Sequence, residues 1–172
     1  MRNACLLFIS ALISFAANSQ TIYIVRHAEK ASGAAMTASG GTTNDPVLSE
    51  AGAARAQALK KELMRKKIAY IFTTNTIRTK TTAEPLAKFW SIPMHTYNPM
   101  PTAAFLDSVK KLGKNVLIVG HSNTVDDLAN GLAGKKVVDG DLADSEYDNL
   151  FIITVKRDDI VFKRKKYGKV SN

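Results

Sequence analysis

Cysteine is almost absent from this chain. Its 172 residues hold one, Cys5, and that one precedes the first apolar run rather than following it, which does not suit a lipoprotein anchor. Without cysteine further along, a disulfide framework and a cysteine metal site are both excluded from the body of the protein. Histidine is scarce as well, at three residues. Low-complexity tracts and repeats of solenoid period are missing. The longest apolar stretch, Ala4 to Ala17, falls short of the roughly 20 residues that a membrane span needs.

That stretch lies in "MRNACLLFISALISFAANSQ". Arg2 supplies a positive start, and Ala17 and Ser19 are small residues where a signal peptidase prefers them. Residues 1–19 read as a secretory signal peptide cut near Ser19–Gln20, leaving 20–172 as one domain. The expected destination is the periplasm or the exterior, with no stable membrane anchor after cleavage. Removing Arg2 lowers the formal net charge from +9 to +8. A basic balance of this size suits an anionic partner: a phosphate ester, a nucleic acid or a membrane surface. No stacking aromatics or nucleic-acid motif accompany it, so nucleic acid is not expected. The basic "FKRKKYGK" (Phe162–Lys169) reads first as a solvated edge strand blunted by lysines.

Strands and helices alternate after the leader. "TIYIV" (Thr21–Val25), "IAYIFTT" (Ile68–Thr74) and "NVLIVG" (Asn115–Gly120) are apolar runs of strand length, and "IPMHTYN" is a weaker strand. Ser49–Lys67 has helical spacing of Ala53, Ala56, Leu59 and Leu63, with Ser49 as N-cap. "IRTKTTAEPLAKFW" is a helix that Pro85 must start or kink. "AAFLDSVKKLG" and "TVDDLANGLAG" are shorter helices stopped by Gly113 and Gly134. "NLFIITV" and "DIVFKRKKY" form a closing hairpin. The pattern predicts an α/β protein: a three-layer α/β/α sandwich on a mostly parallel sheet, with an antiparallel C-terminal edge.

Ligands of such sheets sit beyond the carboxyl ends of the strands. Arg26 and His27 follow the first strand, Arg78 follows the second, and His121, Ser122 and Asn123 follow "NVLIVG". Two guanidiniums and two imidazoles converging there make an oxyanion trap. Arginine's fork matches phosphate oxygens in pairs. A neutral imidazole can attack phosphorus, and a second can offset charge on the equatorial oxygens. Guanidiniums beside the histidines repel a divalent cation, so no metal is expected. Arg78, in a helix's first turn, needs a compensating anion.

"IVRHAEK" resembles the Arg-His-Gly motif of the histidine phosphatase (phosphoglycerate mutase-like) superfamily, with Ala28 where glycine is commonest. "DPVLSEAGAARAQAL", "IFTTNTIRTKTTAEPLA" and "LIVGHSNTV" are similar to its later blocks, in family order, with Thr74 in place of the usual serine. The resemblance implies a small capless member of that fold, with an open loop in the Gly/Thr/Ser/Ala-rich stretch before the first helix. It implies a metal-independent phosphoric monoester hydrolase without cofactors. His27 would be the nucleophile that becomes phosphorylated, Arg26 and Arg78 the clamp, and His121 the transition-state stabiliser. Ser122 or Asn123 would add a donor.

One family part is not in its usual place. The carboxyl that protonates a leaving oxygen commonly follows the third strand, where "MHTYNPMPTAAF" holds no acid. Glu29, Asp45 and Asp148 are the candidates elsewhere. A missing acid would suit a better leaving group, such as a phosphoramidate, although export argues against that substrate. The reading is therefore an exported phosphatase acting on a phosphorylated small molecule or polymer through a phosphohistidine. Its alternative is a weak or inactive anion-binding domain of the same fold.

Overall fold

Side-chain alternation builds the sheet first. In β1 (Gln20–Arg26), Ile22 and Ile24 face one apolar layer while Tyr23 and Val25 face the other. β4 (Asn115–Gly120) repeats this, with Val116 and Ile118 on one side and Leu117 and Val119 on the other. Strands buried on both faces need helices on both faces. Each fully buried Ile, Leu or Phe contributes about 1.5–3 kcal/mol over an exposed one.

The computed structural model describes residues 19–33, 40–156 and 159–171. The signal-peptide reading of 1–19 therefore lies outside the described residues, save Ser19. Six strands are ordered β3-β2-β4-β1-β5-β6, where β2 is Ile68–Thr73, β3 Met94–Thr96, β5 Asn149–Val155 and β6 Ile160–Lys166. β1 pairs with β4, and β2 with both β3 and β4, in parallel; β5 runs antiparallel to β1, and β6 to β5. Helices α1 (Glu50–Leu63) and α2 (Ile77–Trp90) cover one face through Leu59, Leu63, Ala83 and Leu86. Helices α3 (Ala103–Lys111) and α4 (Val125–Ala133) cover the other through Val109, Val125, Leu128 and Leu132. Among the described residues no helix is long and apolar enough to cross a membrane.

Local sequence explains the boundaries. Ser49 caps α1, its hydroxyl accepting from the Gly52 N–H at 3.1 Å. The helix ends at Leu63 rather than at the expected Lys67, because the chain turns towards β2 with Lys67 at a φ of 49°. Pro85 lies inside α2 rather than at its start. β6 is the edge strand its lysines suggested: Lys165 pairs with Glu62, Arg164 with Glu146 and Lys166 with Asp148. The loop between His27 and α1 is pinned at its base. Lys30 bridges Leu48, and the Ser49 N–H donates to the Glu29 carbonyl at 2.9 Å. Gly52 lies so close to that carbonyl that any Cβ there would run into it, which is why this turn takes glycine.

Candidate active site

The β1–β4 ladder is extended one bond past the strands: the His27 N–H donates to the Gly120 carbonyl at 2.9 Å. That bond fixes His27 beside the residue that precedes His121. The two imidazoles stand edge to face, their centroids 5.4 Å apart. They line a cleft of about 620 Å³ together with Arg26 and Arg78. The four residues singled out at strand ends are thus brought to one place, and Ser122 and Asn123 line the same cleft ahead of α4.

His27 is 4% exposed, and its Nδ1 lies 2.8 Å from the Ala28 carbonyl oxygen. A carbonyl only accepts, so Nδ1 carries the proton and Nε2 keeps its lone pair. Burial, helped by the charges of Arg26 and Arg78, pushes the His27 pKa down to about 3 although the Ala28 bond works the other way. The ring is neutral at pH 7. For the same first reason, burial, and with Arg78 next, His121 is pushed down to about 4.

Two contacts set the tautomer of His121. Its Nδ1 faces Arg78 Nη2 at 3.5 Å, and a guanidinium only donates. Nε2 therefore bears the hydrogen and gives it to Thr74 Oγ1 at 2.9 Å. Thr74 in turn is 3.2 Å from the Thr76 hydroxyl and 3.1 Å from that of Thr79. In the sequence Thr74 stands out only as a threonine where the family block usually has serine. Its place at the end of β2, level with the other strand ends, was the available signal.

Arg26 is 2% exposed and held on one side by backbone. Its Nη1 donates to the carbonyls of Ala143 at 2.8 Å, Asp144 at 3.1 Å and Glu146 at 3.2 Å. Its face lies against Tyr147. Among the described residues its Nε is buried without a hydrogen-bond partner. A buried donor left alone costs about 1–3 kcal/mol. The Nε–Nη2 edge is the side of a guanidinium that takes two oxygens of one oxyanion. Arg78 has the compensating anion it needed: Asp45 lies 3.3 Å from its Nη1 and accepts from the Ile77 N–H, capping α2, at 3.0 Å.

The three candidate acids are committed elsewhere. Glu29 takes Arg55 in a forked pair, with Nη2 to Oε1 at 2.7 Å and Nε to Oε2 at 2.9 Å. Asp45 serves Arg78 and the start of α2. Asp148 is buried. Burial alone would raise its pKa, but the Lys166 ammonium at 2.7 Å and the Ser171 N–H at 3.0 Å hold it below the usual carboxylate range. None of the three lines the cleft. Among the described residues no three His, Cys, Asp or Glu side chains gather as a metal ligand set.

Residues 22–99 match the sequence model of the histidine phosphatase superfamily (branch 1). No curated protein matches the chain. Among solved structures, the chain is similar to the protein histidine phosphatase SixA complexed with tungstate, with a TM-score of 0.64 and 16% identity over 85% of this chain and 96% of that one. Bacillus stearothermophilus YhfR gives a TM-score of 0.59 and 20% identity over 88% of this chain and 98% of that one. A mycobacterial glucosyl-3-phosphoglycerate phosphatase gives 0.62 and 12% over 88% of this chain and all 100% of its own. At these identities the structures speak for the fold, and the sequence model speaks for the family. The match to the sequence model of the histidine phosphatase superfamily (branch 1) covers residues 22–99, 78 of the 172, and the likeness in fold extends over 85% of the chain.

Proposed function

We propose that this protein is a phosphatase that hydrolyses phosphate monoesters, or phosphoramidates, through a phosphohistidine on His27. One observation carries the reading. His27 is buried and neutral, its Nδ1 proton is tied to the Ala28 carbonyl, and its free Nε2 shares a cleft with two arginines and a second imidazole.

In the first step the Nε2 lone pair attacks phosphorus as the bond to the leaving oxygen or nitrogen breaks. Arg26, through Nε and Nη2, and Arg78 hold the equatorial oxygens. The arriving dianion draws Arg78 from His121 Nδ1 and raises the affinity of that nitrogen for a proton, which it takes from solvent water, and the N–H so formed donates to an equatorial oxygen. Water next attacks phosphorus, and the P–N bond returns its electrons to Nε2. Ser122 and Asn123, just before α4, bound the cleft where further donors are wanted.

The relatives' names span a protein histidine phosphatase and a sugar-acid phosphatase, and the substrate here is accordingly proposed only as a phosphorylated small molecule or polymer. Export after loss of residues 1–19 is proposed from the sequence of that segment; N-terminal sequencing of the secreted chain tests it.

The central test is turnover of p-nitrophenyl phosphate by residues 20–172, with acid-quench trapping of labelled enzyme. The expected result is turnover with a phosphoenzyme burst, both lost in His27→Ala, where the rate falls by about 10³-fold or more. Equal rates in the two proteins sink the mechanism. Tight phosphate or vanadate binding with no burst in wild type would instead support an anion-binding domain.

A further inference from the structure

We propose that Asp144 is the carboxyl that protonates the leaving oxygen. The assignment rests on the phosphatase reading above and supplies the part the sequence did not reveal. Among the described residues, Asp144 is the one carboxylate on the lining of the cleft. Residues 34–39 contain no Asp or Glu in sequence. Glu29, Asp45 and Asp148 are already spent on Arg55, Arg78 and Lys166.

Asp144 is placed by the clamp itself. Arg26 Nη1 holds the carbonyls of Ala143 and Asp144, one on each side of the Asp144 Cα, and that of Glu146. Glu146 Oε2 accepts from the Ala143 N–H at 3.1 Å, and the Leu142 N–H donates to the Ser122 carbonyl at 2.9 Å. The backbone of this return loop is therefore built onto both walls of the cleft. The side chain of Asp144, by contrast, is fully exposed, and Oδ1 stands 3.7 Å from Arg26 Nη2. Nη2 belongs to the guanidinium edge that faces a phosphoryl oxygen. A carboxyl one van der Waals contact beyond it lies beside the phosphoryl group rather than beneath it.

In-line displacement decides which side matters. His27 Nε2 attacks from the buried floor, so the leaving oxygen points outward, towards solvent, where Asp144 is. As the Nε2–P bond forms and the P–O bond breaks, the electron pair goes to the leaving oxygen, which takes the carboxyl proton of Asp144. The carboxylate then accepts a proton from the water that attacks phosphorus as the P–N bond breaks. The cycle returns Asp144 to its starting form and releases alcohol and phosphate.

Leaving-group dependence tests this. Phenyl and alkyl phosphates of graded leaving-group basicity are turned over by residues 20–172 of the wild type and of Asp144→Asn, with thermal midpoints measured for both. A general acid is needed for alkoxides and dispensable for nitrophenolates. The expected result is a loss of about 100-fold or more on alkyl phosphates and less than about 3-fold on dinitrophenyl phosphate, at unchanged thermal midpoint. A loss equal across the series, or none, overturns the assignment and leaves the phosphatase reading standing. A wild type that turns over no member of the series overturns both.

Discussion

The ring of Tyr147 lies against the guanidinium of Arg26, whose Cζ is 4.0 Å from the ring centroid. The same ring is 6.2 Å from that of His27. Tyr147 thus covers one face of a guanidinium whose Nη1 the backbone carbonyls hold, leaving the Nε–Nη2 edge to the cleft, and a cation–π contact of this kind contributes about 0.5–2 kcal/mol. Tyr147→Ala is expected to loosen the clamp, lowering kcat/KM about 10-fold and weakening inhibition by inorganic phosphate in parallel. Tyr147→Phe keeps the ring and should stay within about 2-fold of wild type. Steady-state kinetics with phosphate as inhibitor checks both; equal losses in the two variants would shift the role to the phenol hydroxyl.

Thr74 governs His121 in a different way, through one hydrogen bond to Nε2 at 2.9 Å. Thr74→Val keeps the shape and removes the acceptor, leaving a half-buried N–H unpaired at a cost of about 1–3 kcal/mol. The imidazole is then expected to change tautomer or turn, with kcat reduced about 10-fold. Thr74→Ser should restore both. Nitrogen NMR shifts of His121 read the tautomer directly, and a Val variant that keeps the Nε2–H form refutes the argument.

Both site imidazoles have folded-state pKa values, about 3 and about 4, below the free value of roughly 6.5. The unfolded chain therefore binds protons, as pH falls through about 6.5, that the folded chain refuses. By linkage, the stability these groups contribute is complete above about pH 7 and is lost on acidification towards pH 4. The thermal midpoint should drop between pH 7 and pH 4.5. The drop should be smaller in His27→Gln, which cannot charge, and smaller again with saturating phosphate, which favours the protonated site. A wild-type midpoint as flat with pH as that of His27→Gln contradicts the burial of a neutral His27.

What was legible in the sequence follows from where each group gets its position. Arg26, His27, Arg78 and His121 sit at or just past strand ends, so strand periodicity plus the rule for ligand sites in parallel sheets locates them. The layers were legible for the same reason, since runs such as "NVLIVG" announce burial on both faces. The commitments of the acids were not. Glu29 finds Arg55 on α1, and Asp148 finds Lys166 on β6, contacts that tertiary packing alone creates. Asp148 stands out in the sequence as a candidate acid, yet its neighbour Tyr147 is the residue that touches Arg26. The loop from 142 to 148 has no periodicity, and it acquires its shape by hydrogen bonding to the clamp arginine, a partner far away in sequence.

Arg55 is the residue whose loss should separate structure from catalysis most sharply. Its guanidinium is 4% exposed. Besides Glu29 it donates to the Tyr167 carbonyl at 3.0 Å through Nη1 and to that of Lys169 at 2.9 Å through Nη2. One side chain therefore ties the turn after His27, helix α1 and the C-terminal segment together. Arg55→Met fills the space but strands the Glu29 carboxylate and two carbonyls. Breaking a buried pair on one side costs about 3–5 kcal/mol, and for a domain of this size each kcal/mol moves the thermal midpoint by about 2–4 °C. The expected outcome is a large fall in the midpoint of urea or thermal unfolding. At temperatures where the variant is still folded, kcat should stay within a few-fold of wild type. Glu29→Gln, which keeps an acceptor for Arg55, should lose less stability and also retain kcat. The opposite pattern, normal unfolding with collapsed activity in Glu29→Gln, would return Glu29 to the chemistry and remove the basis for treating it as the partner of Arg55 alone.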